Sequence, residues 1–192
     1  MNWSSISTFL LAGLHLANIA HGQSCKQSFR LFAYGEGIGG LPLYYADGRA
    51  EIGNRSLSTA NETASVYFTI PEDSPKVWNA LPNTTESRDV SFDSRVFTLP
   101  SISGTSTGNV GFTDPDDPRK FDTKTLTLYG NYVLIDSTNA NFFTTRSDKA
   151  VYSLQWGQYE HAQSNQIPLK IRAIQPSTDA VLAGGFNPRD EL

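Results

Sequence analysis

Short runs of β-branched and aromatic residues recur along this chain, and no stretch carries a sustained helical stripe of apolar residues. Each run ends at glycine, proline, asparagine or aspartate, which close strands with turns. About eleven runs are visible, at 29–34, 41–45, 49–52, 65–70, 77–81, 95–99, 125–129, 132–136, 141–145, 150–156 and 168–174. This pattern predicts a single all-β domain, either a β-sandwich or a closed barrel. A β-trefoil is the alternative, although the sequence shows no threefold repeat.

Turn residues divide these runs. Asp47-Gly48 lies between two β-rich runs and predicts a tight hairpin. The stretch 99–122 is rich in glycine and proline and predicts a long surface loop. The polar stretch 158–166 predicts one or two helical turns at most.

The two ends of the chain suggest a route through the secretory pathway. An apolar run at 9–20 is too short and too interrupted to span a bilayer, and small residues flank His21. Residues 1–22 are therefore predicted to be a signal peptide, residues 23–183 the domain, and residues 184–192 a flexible tail. The last four residues resemble an endoplasmic-reticulum retrieval signal that a retrieval receptor would bind: Arg189, Asp190, Glu191 and Leu192.

Charge and cysteine content restrict the partners. The 15 Lys and Arg residues are scattered among 19 Asp and Glu residues, giving a formal charge of −4. We therefore expect no nucleic-acid partner, and no later segment is apolar enough to span a membrane. Cys25 is the only cysteine, so no intrachain disulfide can form. It is either an unpaired thiol near the cleavage site or a link between two chains.

Three sequons predict N-glycosylation. They begin at Asn54, Asn61 and Asn83, and their clustering predicts that one side of the fold carries glycans.

Two motifs imitate catalytic signatures. The segment 35–40 fits G-x-G-x-x-G, but a strand follows where a dinucleotide site needs a helix N-terminus, so we interpret it as a loop between strands. The segment 104–108 fits G-x-S-x-G around Ser106, with Asp136 or Asp148 and His161 as triad partners. Its Ser, Thr and Gly-rich surroundings favour a surface loop instead.

We expect no metal and no cofactor. One histidine and one cysteine in residues 23–192 are too few for common zinc sites, and the acidic cluster at 114–117 lacks calcium-loop spacing. A carboxylate pair for glycoside hydrolysis remains open, with Glu36, Glu51 and Asp47 as the candidates on regular structure.

Aromatic residues are abundant and are the candidates for binding carbohydrate. Amphipathic rings can stack on sugars while polar neighbours bind the hydroxyls. Tyr44 and Tyr45 are adjacent, so a regular strand points one of them outward. They are the predicted carbohydrate contacts.

Four segments carry a resemblance to a group of proteins: FRLFAYGEGIGGLPLYYADGRAEIG at 29–53, LTLYGNYVLID at 126–136, AVYSLQW at 150–156 and IPLKIRAIQPS at 167–177. Together they resemble small secreted all-β proteins of filamentous fungi, loosely similar to fungal cell-wall mannoproteins. The resemblance implies a secreted or wall-associated glycoprotein and transfers no functional residues.

Three functions are compatible with these features. The leading hypothesis is a non-enzymatic glycoprotein of the cell wall or extracellular space, a structural or surface-interaction module whose partners are wall polysaccharide or other wall proteins. The second is a lectin-like carbohydrate-binding protein. The third is a small serine hydrolase using Ser106 and His161. The endoplasmic-reticulum lumen is the alternative location, because of the C-terminal residues.

Overall fold

The structure is a computed structural model that describes residues 28–87, 90–100, 107–117, 126–135, 140–158 and 165–176. Within these residues it is all-β, as predicted, with one short 3-10 helix at Arg55–Leu57. The fifteen strands are β1 (Arg30–Gly35), β2 (Ile38–Ala46), β3 (Arg49–Gly53), β4 (Thr63–Thr69), β5 (Asn79–Pro82), β6 (Arg95–Thr98), β7 (Thr107–Asn109), β8 (Gly111–Thr113), β9 (Leu126–Tyr129), β10 (Tyr132–Ile135), β11 (Ala140–Thr145), β12 (Val151–Ser153), β13 (Gln155–Gln158), β14 (Gln166–Pro168) and β15 (Lys170–Ile174).

Six strands close a barrel, so the closed-barrel alternative is confirmed. Around the ring the order is β2, β3, β8, β6, β5 and β4, and β2 closes it by pairing with both β3 and β4. All of these pairings are antiparallel. A β-trefoil would show the same strand arrangement three times, and the strand order in this sheet has no such repeat, which argues against a trefoil.

An aromatic cluster fills the barrel. Strand β4 turns Ala64, Val66 and Phe68 inward at every second position, and all three are fully buried. The Phe68 ring lies 5.4 Å from the Phe97 ring and 6.4 Å from the Phe112 ring, measured between centroids. Close-packed rings of this kind hold the strands of the barrel around one core.

The predicted loop at 99–122 is wrong for part of its length, because β7 and β8 lie in it. Val110 is fully buried, Phe112 is buried, and β8 pairs with both β3 and β6. The glycines that suggested a loop have a packing role here. A Cβ at Gly111 would lie 2.6 Å from the carbonyl oxygen of Gly48, so only glycine permits this approach of two backbones.

Other departures from the predicted strands are smaller. The predicted strand at 150–156 is two strands, β12 and β13, which belong to different sheets. Residues 166–168 form the additional strand β14. Gln158 ends β13 and Gln166 begins β14, while residues 159–164 of the predicted polar turns lie outside the described residues.

The Asp47-Gly48 hairpin is confirmed. Asp47 and Gly48 have φ angles of 45° and 79°, the left-handed pair that a type I′ turn requires. The Asp47 carboxylate also accepts hydrogen bonds from the backbone N–H groups of Asn61 (2.9 Å) and Glu62 (2.8 Å). These two bonds favour the ionised form and hold the pKa of Asp47 below its usual value.

Four strands continue the barrel sheet beyond β2, in the order β1, β15, β10 and β9. Their inward residues join the core, among them Leu31 and Ala33 of β1 and Ile171 of β15. The residues between them point to the opposite face. This extension therefore presents an outer surface that the barrel does not cover.

A second sheet, in the order β14, β11, β13 and β7, packs against the same core. Phe142 of β11 and Trp156 of β13 lie 5.5 Å apart, measured between ring centroids. Among the described residues, no helix is long and apolar enough to cross a membrane.

Candidate functional site

The predicted carbohydrate contacts, Tyr44 and Tyr45, are both buried. They are 2% and 6% exposed, so the expectation that one ring faces solvent is wrong. The Tyr45 ring points into the barrel, 4.5 Å from the Phe92 ring and 5.5 Å from the Phe112 ring. Rings enclosed in this way cannot stack on a sugar.

Tyr44 points to the opposite face, as strand geometry requires, but polar groups cover it. Its hydroxyl donates a 2.8 Å hydrogen bond to Glu51 Oε2, which also accepts one from the Ser58 hydroxyl at 2.8 Å. Burial, together with the negative charge of Glu51, raises the pKa of Tyr44 well above its usual value. Tyr44 thus points outward but is covered by residues from other parts of the chain, which the strand pattern does not reveal.

The three sequons differ in accessibility. Asn54 and Asn61 are exposed, and the Asn54 side chain accepts a hydrogen bond from the Ser56 hydroxyl at 2.8 Å. Asn83 is only 5% exposed, and its side-chain nitrogen donates to the Tyr67 hydroxyl at 3.3 Å. A glycan on Asn83 would require this packing to open. N-glycosylation of Asn54, Asn61 and Asn83 stays a prediction.

The glycine motif at 35–40 covers the last residue of β1, the tight turn and the start of β2, so it joins two strands, as interpreted from sequence. For the serine motif, Gly108 lies in β7 and Asp148 in an exposed turn. Ser106, Asp136 and His161 lie outside the described residues, as do Cys25, the signal segment 1–22 and the C-terminal residues 184–192.

The candidate carboxylates are not gathered into one site. Glu36 and Asp47 lie in turns at opposite ends of β2, and Glu36 pairs with Arg146 at 2.8 Å. Nine residues of strand separate those two turns by about 30 Å. Glu51 lies on β3 beside Tyr44.

Acidic residues at 114–117 also have local roles. Asp114 pairs with Arg95 at 3.1 Å and accepts the backbone N–H of Asp116. Among the described residues, no group of three or more His, Cys, Asp or Glu side chains is placed to hold a metal ion.

A row of aromatic and basic side chains crosses the outer surface of the sheet extension. Strand pairing places Tyr129 opposite Tyr132, Tyr132 opposite Arg172, and Arg172 opposite Phe32. These residues alternate with buried ones, so their side chains share the outward face. Tyr34 lies two residues beyond Phe32 on the same face. We call these five residues, Phe32, Tyr34, Tyr129, Tyr132 and Arg172, the outer face.

Two rings of the outer face are well exposed. Tyr129 is 76% exposed and Tyr132 is 42% exposed, and Leu134 beside them is 47% exposed. The tight turn at Gly130 and Asn131 joins their strands; Gly130 has a φ of 60°, the left-handed conformation that glycine adopts most easily. The hairpin therefore carries two neighbouring phenol rings into solvent.

Arg172 packs against two rings of the outer face. Its guanidinium carbon lies 5.6 Å from the centre of the Tyr34 ring and 5.2 Å from that of the Tyr132 ring. These are cation–π distances. Tyr34 in turn lies against Gly40, where a Cβ would be 3.0 Å from the Tyr34 hydroxyl. Tyr34, Arg172 and Tyr132, on three neighbouring strands, are therefore preorganised by contact with one another.

A cavity of about 620 Å³ borders the outer face near the β9–β10 turn. Its lining combines Arg172 with the polar side chains Asn131 and Gln175 and with apolar Leu128 and Ile174. Such a border supplies hydrogen-bonding groups next to stacking surfaces.

The sequence shows that aromatic residues are abundant, but it did not predict that Phe32, Tyr34, Tyr129, Tyr132 and Arg172 form one group. The available signal was the period-two alternation of Arg30, Phe32 and Tyr34 and of Lys170, Arg172 and Ile174. That alternation does not say which strands become neighbours.

Comparison of the chain with protein-family models, with curated proteins and with solved structures finds no match.

Proposed function

We propose that the protein is a non-enzymatic surface-interaction module that binds polysaccharide through the outer face. The observation that carries this proposal is the row of outward side chains from Tyr129 through Tyr132 and Arg172 to Phe32 across four neighbouring strands. It replaces the buried pair Tyr44 and Tyr45 as the carbohydrate contact.

The spacing of the row suits an extended sugar chain. Neighbouring strands lie about 4.8 Å apart, so Tyr132 and Phe32, two strands apart, are separated by about 10 Å. This is close to the length of a disaccharide in an extended polysaccharide, which would place alternate sugar rings over the two aromatic side chains. Tyr hydroxyls and the neighbouring Asn131 would bind sugar hydroxyls.

A second candidate function is binding of another wall protein. Leu134 and Ile174 are apolar and exposed, and both are neighbours of the outer face. Tyrosine and arginine are also enriched at the energetic centres of protein interfaces. A structural role in the wall would use the same surface with a different partner.

The test is retention on insoluble chitin, β-glucan and mannan. We expect saturable binding to at least one of them, weakened by Tyr129→Ala and by Tyr132→Ala. Each ring should contribute about 1 kcal/mol, about a fivefold change in Kd. Leu57→Ala is the matched control, since Leu57 is half-exposed but lies on the 3-10 helix outside the outer face.

If neither these neutral polysaccharides nor an acidic polysaccharide is retained, polysaccharide binding by the outer face is wrong. Binding that the two tyrosine variants leave unchanged would place the ligand elsewhere on the molecule. Cross-linking to a wall protein, lost in the same two variants, would favour the second candidate.

The proposed place of action is the cell wall or extracellular space. The export-like segment 1–22 and the resemblance to secreted fungal proteins support it, while the tail from Arg189 to Leu192 supports the endoplasmic reticulum. Deleting residues 189–192 and comparing medium with lysate distinguishes the two. Retention of the intact protein, with release of the truncated form, would refute the extracellular assignment.

A further inference from the structure

Three arginines on the described surface form ion pairs, and Arg172 does not. Arg30 pairs with Glu86, Arg95 with Asp114 and Arg146 with Glu36. No carboxylate of the described residues pairs with Arg172, and its Nε is buried without a hydrogen-bond partner. Its positive charge is held in place by aromatic rings alone.

A second cation lies next to it on the same face. Lys170 is two residues before Arg172 on β15, stands opposite Tyr34, and is exposed. It too has no ion-pair partner among the described residues. This part of the surface is therefore basic in a chain whose formal charge is −4.

An unpaired guanidinium next to exposed aromatic rings is suited to bind an anionic ligand. Arginine is always charged, and its planar fork of donors matches a carboxylate with two parallel hydrogen bonds. Partial burial strengthens such a pair relative to one in bulk water. The two tyrosine rings keep the guanidinium in position before the ligand arrives, which reduces the entropy lost on binding.

We infer that the outer face selects an acidic polysaccharide, one whose sugars carry carboxylates as uronic acids do. Aromatic rings stack on the sugar, Arg172 binds a carboxylate, and Lys170, beside Arg172 on the same strand, adds positive charge that attracts the polymer. This inference rests on the proposed function and names the substrate class for that same surface.

The test compares two forms of one polymer, polygalacturonate and its fully methyl-esterified derivative. The backbone is identical, but esterification removes the negative charges. We expect polygalacturonate to bind at least about tenfold more tightly, because hydrogen bonds to a charged partner are the stronger class. We expect this preference to weaken as salt concentration rises.

Variants of Arg172 test whether this residue causes the preference for the acidic polymer. Arg172→Gln should lower affinity for polygalacturonate by about tenfold and leave binding of the ester nearly unchanged. Arg172→Lys keeps the charge but loses the planar fork, and we expect an intermediate loss. Lys149→Gln is the matched control, since it removes one exposed positive charge outside the outer face. Thermal melts establish that each variant is folded.

The outcomes separate this inference from the proposed function. Equal binding of both polymer forms, or binding of neutral glucan and chitin alone, overturns the acidic preference and leaves polysaccharide binding standing. A preference for the acid that persists in Arg172→Gln overturns the role of Arg172. Absence of binding to all of these polymers overturns the proposed function together with this inference.

Discussion

Replacing Phe112 by alanine tests whether residues 111–113 close the barrel. The Phe112 ring is 6% exposed and lies 5.5 Å from the Tyr45 ring, 5.5 Å from Phe97 and 6.4 Å from Phe68, measured between centroids. Deleting a buried phenylalanine side chain removes its transfer free energy and leaves a cavity. We expect Phe112→Ala to lower the free energy of unfolding by about 3–5 kcal/mol.

The assay is urea unfolding followed by tryptophan fluorescence, because Trp78 and Trp156 are buried and report on the core. A loss of this size is a large part of the total stability of a typical domain, about 5–15 kcal/mol, so the alanine variant could unfold outright. Phe112→Leu guards against that outcome, with an expected loss of about 1 kcal/mol. Asn109→Ala, at an exposed position three residues earlier, should change stability by less than about 0.5 kcal/mol.

The competing expectation is the long surface loop that the glycines and prolines of 99–122 suggest. In such a loop, Phe112→Ala would have the same small effect as Asn109→Ala. A loss below about 1 kcal/mol for Phe112→Ala would therefore refute the assignment of β8 to the barrel.

Three further changes test other parts of the molecule. Gly53→Ala should lower stability by about 1–3 kcal/mol, because Gly53 has a φ of 119° and a Cβ would overlap the Ala150 carbonyl oxygen; an unchanged Tm would contradict this. Asp47→Asn should lower the urea midpoint at neutral pH. The pKa of Asp47 is depressed below 3.8, so its contribution is present above that value and is lost as pH falls through the lower folded-state pKa. The two urea midpoints should therefore converge in strong acid, and a constant difference would refute the role of the charge. Finally, the protein should not react with a fluorophosphonate; labelling that is lost in Ser106→Ala and in His161→Ala would establish a hydrolase.

The secondary structure was largely predictable, because the alternation of apolar and more polar residues along a short segment indicates a strand. Residues 63–69 read as inward Ala64, Val66 and Phe68 separated by more polar positions, and this pattern is what the barrel uses. The Asp47-Gly48 turn was also predictable, since few residue pairs adopt two successive left-handed conformations.

The candidate site was not predictable to the same degree. Successive residues of a strand point to opposite faces of the sheet, and Tyr44 and Tyr45 do so. Whether each ring is buried depends on the residues that cover its face. Glu51 and Ser58 cover the Tyr44 hydroxyl from another strand and from a loop, so the outward ring is hidden. Exposure is a property of the assembled fold.

The sequence by itself determined that this chain forms short strands joined by tight turns, because those preferences are set by the backbone and by immediate neighbours. Only the tertiary structure decided that Gly111 marks a close backbone contact and not a loop, since that reason lies at Gly48 on a different hairpin. It also decided that Tyr129, Tyr132, Arg172 and Phe32 form one row. Their order depends on β15 pairing between β1 and β10, and pairing of strands distant in sequence is governed by the packing of the whole core.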